Sequence, residues 1–278
     1  MAKTWFITGA GRGIGAEIVK AALAAGDHVV ATGRDPARIA ETFSAAPDRL
    51  LALALDVTDA RQIEEAVGTA VAQLGRIDVL VNNAGYGQLG AFEEQEAGEA
   101  ERQYATNVFG LFNVTRAVLP VMRRQRAGRI FNLSSIAGIR GGPGGSLYCS
   151  SKHAVEGFSE SLSHEVAPFG IRVTIVEPGF FRTDFLDGSS VRFGTGTIAD
   201  YGEFSARTRS GYQERNHQQA GDPARLAAAI VDLAAHEKPP LRFAAGSDAV
   251  EIIGAKIDAL RAELEAWRSL SISTDGAF

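Results

Sequence analysis

Short, almost wholly apolar runs alternate with longer segments of helical spacing along this 278-residue chain. The runs fall at residues 5–7, 28–31, 50–55, 77–81, 129–133 and 171–176, with a shorter one at 241–243. A strand with almost no polar positions must be buried on both faces, and a parallel sheet with helices above and below provides that. The intervening segments supply the helices. Ile14, Ile18, Val19 and Leu23 share one side of a helix over 14–25. Pro36 opens a second helix behind Asp35, and Asp59 is placed to cap a third that runs to residue 74. Further helices are predicted over 99–124, over 147–166, after Asp222-Pro223, and near 249–267. The expected fold is α/β, a doubly wound parallel sheet of about seven strands with right-handed crossovers. Ligands should sit beyond the carboxyl ends of the strands.

No linker-like stretch or internal repeat divides the chain, so residues 1–278 read as one domain. Residues 184–221 break the alternation. They are rich in Gly, Ser and Arg and weakly patterned, and so long a loop in a compact domain is expected to serve as a substrate lid.

Charge and cysteine content narrow the function. A net charge of −5 leaves no Lys/Arg excess for a nucleic-acid platform. The single cysteine, Cys149, cannot form an internal disulfide, which excludes a stapled secreted scaffold and fits a reducing compartment. No window reaches the ~18 consecutive apolar residues of a membrane span. The first apolar stretch follows Met1 so closely that no signal peptide is expected, and the expected location is cytoplasmic. His153, His164, His217 and His236 lack metal-ligand spacing, so no metal is expected.

Two motifs carry chemistry. The first strand-to-helix turn reads Thr8-Gly9-Ala10-Gly11-Arg12-Gly13-Ile14-Gly15. Glycines there let the backbone turn sharply and approach a pyrophosphate at the positive end of a helix, as in a Rossmann-type fold. A structural tight turn would look similar. The second motif is Tyr148-Cys149-Ser150-Ser151-Lys152, whose phenol and ammonium share a helix face one turn apart. A phenol has a pKa near ~10, and a neighbouring ammonium is expected to lower it into a useful range. The same spacing also suits a solvated helix face. Cys149, adjacent to the tyrosine, is expected on another face and inert. Upstream, Ser135 stands at the carboxyl end of the fifth strand, placed either to bond a substrate carbonyl or to cap a turn.

Gly-rich turn, serine and Tyr-x-x-x-Lys in this order resemble the short-chain dehydrogenase/reductase family in its compact form. The resemblance extends from Thr8 to about Leu241. Asn82-Asn83-Ala84-Gly85 matches the family's N-N-A-G, and Asp56-Val57 its adenine-contacting pair. Asn107 matches its catalytic-helix asparagine, and Pro178-Gly179-Phe180-Phe181-Arg182-Thr183 its P-G-x-x-x-T. The resemblance implies hydride transfer between a nicotinamide and a carbonyl or carbinol carbon. Tyr148 would give or take the proton, Ser135 would orient the oxygen, and Lys152 would lower the tyrosine pKa and grip the ribose. Asn107 would hold a relay water. Cofactor contacts would come from Gly9, Gly11, Arg12, Gly13, Ile14 and Gly15, from Asp56, Val57, Asn83, Ala84 and Gly85, and from Pro178, Gly179 and Thr183 besides Tyr148 and Lys152.

Cofactor choice follows from charge. An acid that would bind a ribose 2′-hydroxyl is expected where Gly33 stands, and Arg34 follows it. With Arg12 in the turn, two arginines favour NADP(H), while a shifted role for Asp35 leaves NAD(H) possible. Phe180, Phe181, Phe185 and Leu186 suggest a small-molecule carbonyl or alcohol substrate with an apolar body, or core contacts under the loop. Arg182, Arg192, Arg207 and Arg209 would suit an acidic substrate or plain solvation. The segment after Leu241 departs from the family's usual subunit-joining ending and looks more like the carbonyl and hydroxysteroid reductase branch. A homodimer or homotetramer is open. Ile252, Ile253, Ile257, Leu260, Leu264 and Trp267 are expected to dock the last helix on the body or on a partner, with docking within the chain preferred. The competing reading is a non-catalytic dinucleotide-binding sensor or scaffold, with an epimerase or dehydratase a weaker rival.

Overall fold

Adjacent residues of one strand point to opposite faces, and in the computed structural model, which describes residues 2–188 and 190–276, both faces are covered. Strand β1 (Thr4–Ile7) sends Trp5 and Ile7 into one core and Phe6 into the other, all without solvent exposure. The chain then runs α1 (Gly13–Ala24), β2 (His28–Gly33), α2 (Pro36–Thr42), β3 (Leu50–Ala54), α3 (Ala60–Leu74) and β4 (Val79–Asn82). After a three-residue strand β5 (Gly87–Leu89) come α4 (Glu99–Tyr104), α5 (Leu111–Gln125), β6 (Gly128–Leu133), α6 (Ser146–Val166) and β7 (Ile171–Pro178). The last elements are β8 (Val191–Phe193), α7 (Gly202–Arg215), α8 (Pro223–Ala235), β9 (Arg242–Ala245) and α9 (Ser247–Ile272).

The main sheet has seven parallel strands in the order β3-β2-β1-β4-β6-β7-β9. The strand order reverses at β1 and β4, which opens a crevice at their carboxyl ends. One core packs α1 and α8 against the sheet through Ile18, Val19, Leu226 and Ile230. The other packs α3, α5 and α6 through Ile63, Val114, Val118 and Leu162. Asp35, Asp59 and Asp222 each accept backbone N–H bonds at the start of α2, α3 and α8, which satisfies donors a helix leaves open.

Three expectations fail here. The helix expected over 99–124 is interrupted by a π-helical turn at Ala105–Gly110. Residues 184–221 are not a structureless loop. They contain α7, and β8 pairs in parallel with β5 to form a second small sheet. Glu94 ties this segment down, accepting from Ile198 N at 3.0 Å and from Ser205 Oγ at 2.5 Å. Helix α9 does not lie on the body along its length: Ala249 is buried, but Ile257, Leu260, Leu264 and Trp267 are exposed. Among the described residues, no helix is long and apolar enough to cross a membrane.

Candidate active site

Beyond the carboxyl ends of the strands lies a cleft of about 790 Å³. At one end it is walled by the Gly-rich turn between β1 and α1. Gly9 there has a φ of +65°, a conformation that suits glycine. A Cβ on Gly15 would overlap the Gly9 carbonyl, so the helix approaches the turn as closely as it does only because Gly15 lacks a side chain, while a Cβ on Gly9 would press on Ala84 and Asn83. Asn83 holds the turn from behind. Its Nδ2 donates to the carbonyls of Thr8 and Gly9, both at 3.0 Å, while its backbone N–H donates to Thr8 Oγ1 at 3.0 Å. Gly9, Gly11, Arg12, Gly13 and Ile14 line the cleft, followed by Arg34, Asp56, Val57, Asn83, Ala84 and Gly85. Gly15 lies behind that wall.

Ser135, Tyr148 and Lys152 line the same cleft, as do Pro178, Gly179 and Thr183, the last within van der Waals reach of a Cβ placed on Gly13. The buried Lys152 reaches across from α6, and its Nζ donates to the Leu133 carbonyl at 2.7 Å. Nζ also lies 5.8 Å from the centre of the Tyr148 ring. Ser135 fills one of the two roles its position allows, the turn cap. Its Oγ accepts from Ala137 N at 3.1 Å, capping a short turn, and it hydrogen-bonds Tyr148. Thr183 Oγ1 likewise caps a turn, accepting from Phe185 N at 3.2 Å.

Asn107 sits behind the cleft, in the π-helical turn. A π turn inserts an extra residue and swings side chains out of α-helical register. Asn107 Oδ1 accepts from Tyr86 N at 3.1 Å, and Nδ2 donates to the Tyr86 carbonyl at 2.9 Å and to Ser151 Oγ at 3.3 Å. A Cβ on Gly85 would lie 3.2 Å from Asn107 Oδ1 and 3.8 Å from Lys152 Nζ, so Gly85 separates the two by little more than its own backbone.

The electrostatics differ from the expectation for the tyrosine. Burial pushes the Tyr148 phenol above its ordinary value, and the Ser135 hydrogen bond offsets only part of that. Burial also brings Lys152 down to about 8, against the opposing pull of Glu156 one turn on. In the protein alone, desolvation outweighs any ammonium effect on the phenol.

The short chain dehydrogenase family profile matches residues 3–191. The chain belongs to that family. As a short-chain dehydrogenase it is an oxidoreductase, and the likeness continues beyond the profile. A short-chain dehydrogenase from Streptomyces avermitilis is 44% identical, with a TM-score of 0.91 over 99% of this chain and 100% of that one. A 3-ketodihydrosphingosine reductase of Bacteroides thetaiotaomicron is 39% identical over 251 residues, 90% of each chain. ElxO with NADP bound is 33% identical, with a TM-score of 0.71 over 86% of this chain and 94% of that one.

Several cleft residues of this short-chain dehydrogenase are not marked by any motif. Arg38, one turn into α2, lines the wall beside Arg34, while the Asp35 carboxylate accepts from Arg38 N at 3.0 Å as a helix cap. Cys149 also faces the cleft, contrary to the face expected from its place beside Tyr148. Tyr212 and Gln219 enter from the 184–221 segment, and the buried Gln219 amide has no hydrogen-bond partner at either atom. Phe180, Phe181, Phe185 and Leu186 all line the cleft, whereas Arg209 stacks on Phe193 at 4.7 Å. Asp184, Asp187 and His217 bring ligand atoms within 4.8 Å of one another on the surface, a proximity invisible in their spacing; His217 Nε2 lies 3.3 Å from Asp187.

The residues present fit a dinucleotide. The turn at Gly9 and Gly15 has no room for a Cβ, helix α1 begins at the cleft wall, and arginines line the cleft together with Tyr148 and Lys152.

Proposed function

We propose that the chain is an NADP(H)-dependent reductase that interconverts a ketone or aldehyde with an alcohol, on a substrate with an apolar body. One observation carries this reading: Ser135, Tyr148 and Lys152 line the same cleft as the Gly-rich turn, Arg12, Arg34 and Arg38. NADPH, when bound, supplies the hydride to the carbonyl carbon. The turn at Gly9, Gly11, Gly13 and Ile14 would receive the pyrophosphate, with Gly15 allowing the close approach behind it. Asp56, Val57, Asn83, Ala84 and Gly85 would receive the adenosine side. Lys152 would hold the ribose hydroxyls, and Pro178, Gly179 and Thr183 the carboxamide.

The chain's own chemistry is proton transfer at the substrate oxygen. Ser135 Oγ orients and polarises the carbonyl, and Tyr148 Oη delivers the proton. A phenol raised by burial stays protonated at neutral pH, which suits the donor role. Lys152, brought to about 8, exchanges protons readily near neutrality, and Asn107 would hold the water that links it to solvent. The aromatic wall of Phe180, Phe181 and Phe185 suits an apolar substrate body, and Gln219 offers both an acceptor and donors to a polar group on it. Residues 184–221 would then act as the substrate lid. The ketone named in the Bacteroides relative is consistent with this class.

Arginines at the adenosine end decide the cofactor. A 2′-phosphate between two guanidinium groups gains charge-assisted hydrogen bonds that a 2′-hydroxyl lacks. NADPH should therefore support a higher kcat/KM than NADH on a panel of apolar ketones. The Arg34→Ala/Arg38→Ala variant should lose about 10- to 100-fold of that with NADPH and little with NADH. Equal losses with both cofactors, or a wild type that prefers NADH, count against the reading.

A further inference from the structure

Helix α9 carries an apolar stripe that the body does not cover. Val250, Ile253, Ile257, Leu260, Leu264 and Trp267 follow one another at alternating spacings of three and four residues. That 3-4 pattern is the seam of a coiled coil, narrower than the stripe of a helix packed on a globular body. Ala249 is buried and Ile253 half-buried, but Leu264 and Trp267 are each 62% exposed. Beyond its first turns this 26-residue helix gains no packing from the body, which calls for a partner.

We infer that the stripe pairs with a second copy of the same helix, antiparallel, and that α9 is a homodimerisation element. The flanking charges select this arrangement. If Ile257 faces the partner's Leu260, symmetry places Ile253 against the partner's Leu264 and Val250 against the partner's Trp267. Every stripe residue is then used, and the smallest meets the largest. In that register Lys256 lies beside the partner's Glu263, twice over, and Arg261 faces the partner's Gly254. A parallel pairing instead sets Lys256 against the partner's Arg261, a like-charge contact that offsets the attraction of Glu263 for the partner's Arg268. Antiparallel pairing also brings Leu270 level with the partner's Ser247. The exposed end of each helix, with Leu270 at 61% and Ile272 at 56% exposure, thereby reaches the other body. Twelve stripe side chains bury roughly 1,200 Å² in total, the lower end of a standard stable interface.

Sedimentation equilibrium of the full-length chain tests this. The wild type should sediment at twice the chain mass of 29.4 kDa, and Leu260→Asp/Leu264→Asp should sediment at that mass while still melting cooperatively, with a lower melting temperature and some helical circular dichroism lost as α9 frays. Because these leucines are exposed in the single chain, the variant has no folding reason to fail, and the charge variants supply an independent readout. Lys256→Glu and Glu263→Lys should each weaken dimerisation about tenfold or more, and the two together should restore it. A larger wild-type assembly supports the inference if the double aspartate reduces its order and opposes it otherwise. A wild type monomeric at high micromolar concentration overturns it, whether the stripe then meets another protein or a lipid surface. A double charge swap no better than either single one overturns the antiparallel pairing.

Discussion

Tyr148→Phe should lower turnover about 10²- to 10⁴-fold while leaving NADPH affinity close to wild type. The phenylalanine ring keeps what the tyrosine ring contributes to packing: the contact with Phe185 at 5.7 Å between centroids and the Lys152 ammonium at 5.8 Å. Only the hydroxyl goes, and with it the hydrogen bond to Ser135 and the proton delivered to the substrate oxygen. Fluorescence titration with NADPH and steady-state ketone reduction separate the two effects. A variant that turns over at the wild-type rate removes Tyr148 from the chemistry. A variant that loses both activity and NADPH binding shows that the hydroxyl was holding the cleft together.

The largest stability effect is expected away from the cleft. Arg242 on β9 ion-pairs with the buried Glu156, with Glu177 at 3.1 Å and with Glu160 at 2.8 Å. Burial holds the Glu156 and Glu177 carboxyls above their ordinary values, and Arg242 pulls both back down. Arg242→Met leaves two buried carboxylates without their cation and should cost about 3 kcal/mol, a fall in Tm of about 6–12 °C. The pH dependence has a definite sign. Without the arginine the folded-state carboxyl pKa values rise further, so the folded variant binds protons that the unfolded chain releases. Its deficit against wild type should be small near about pH 5 and grow toward about pH 8. Melting curves across that range check both parts, and a deficit that shrinks as pH rises contradicts the assignment.

What could be read from the residues divides along physical lines. Strands β1, β2, β4, β6 and β7 are legible because burial on both faces leaves a short apolar run, while the half-buried edge strands β3 and β9 are legible through their place in the alternation with helices. Asp35, Asp59 and Asp222 are legible because capping is a local transaction between a carboxylate and the next few N–H groups. The π turn at Asn107 leaves no local signal, since it is coupled to hydrogen bonds with Tyr86 and Ser151, distant in sequence. Helix α7 escapes for a related reason: none of its residues is buried, so it has no apolar period to detect. The β5–β8 pair joins three-residue strands about a hundred residues apart. In the site, Tyr-x-x-x-Lys gives the spacing of phenol and ammonium, but which way the phenol titrates depends on how much water the surrounding walls exclude. Arg38 and Gln219 belong to no motif and emerge only when the walls of the cleft are assembled. The stripe on α9 is plain in the sequence; what it lies against is not encoded by periodicity.

In the proposed reaction this cleft passes a hydride from NADPH to a carbonyl carbon while Tyr148 protonates the oxygen. The most direct measurement uses NADPH carrying deuterium at both C4 positions, with an apolar ketone, and analyses the alcohol by mass spectrometry and NMR. The account predicts one deuterium on the carbinol carbon of the wild-type product, and almost no product from Tyr148→Phe. Alcohol formed without deuterium at that carbon, or formed equally well by the phenylalanine variant, would contradict it.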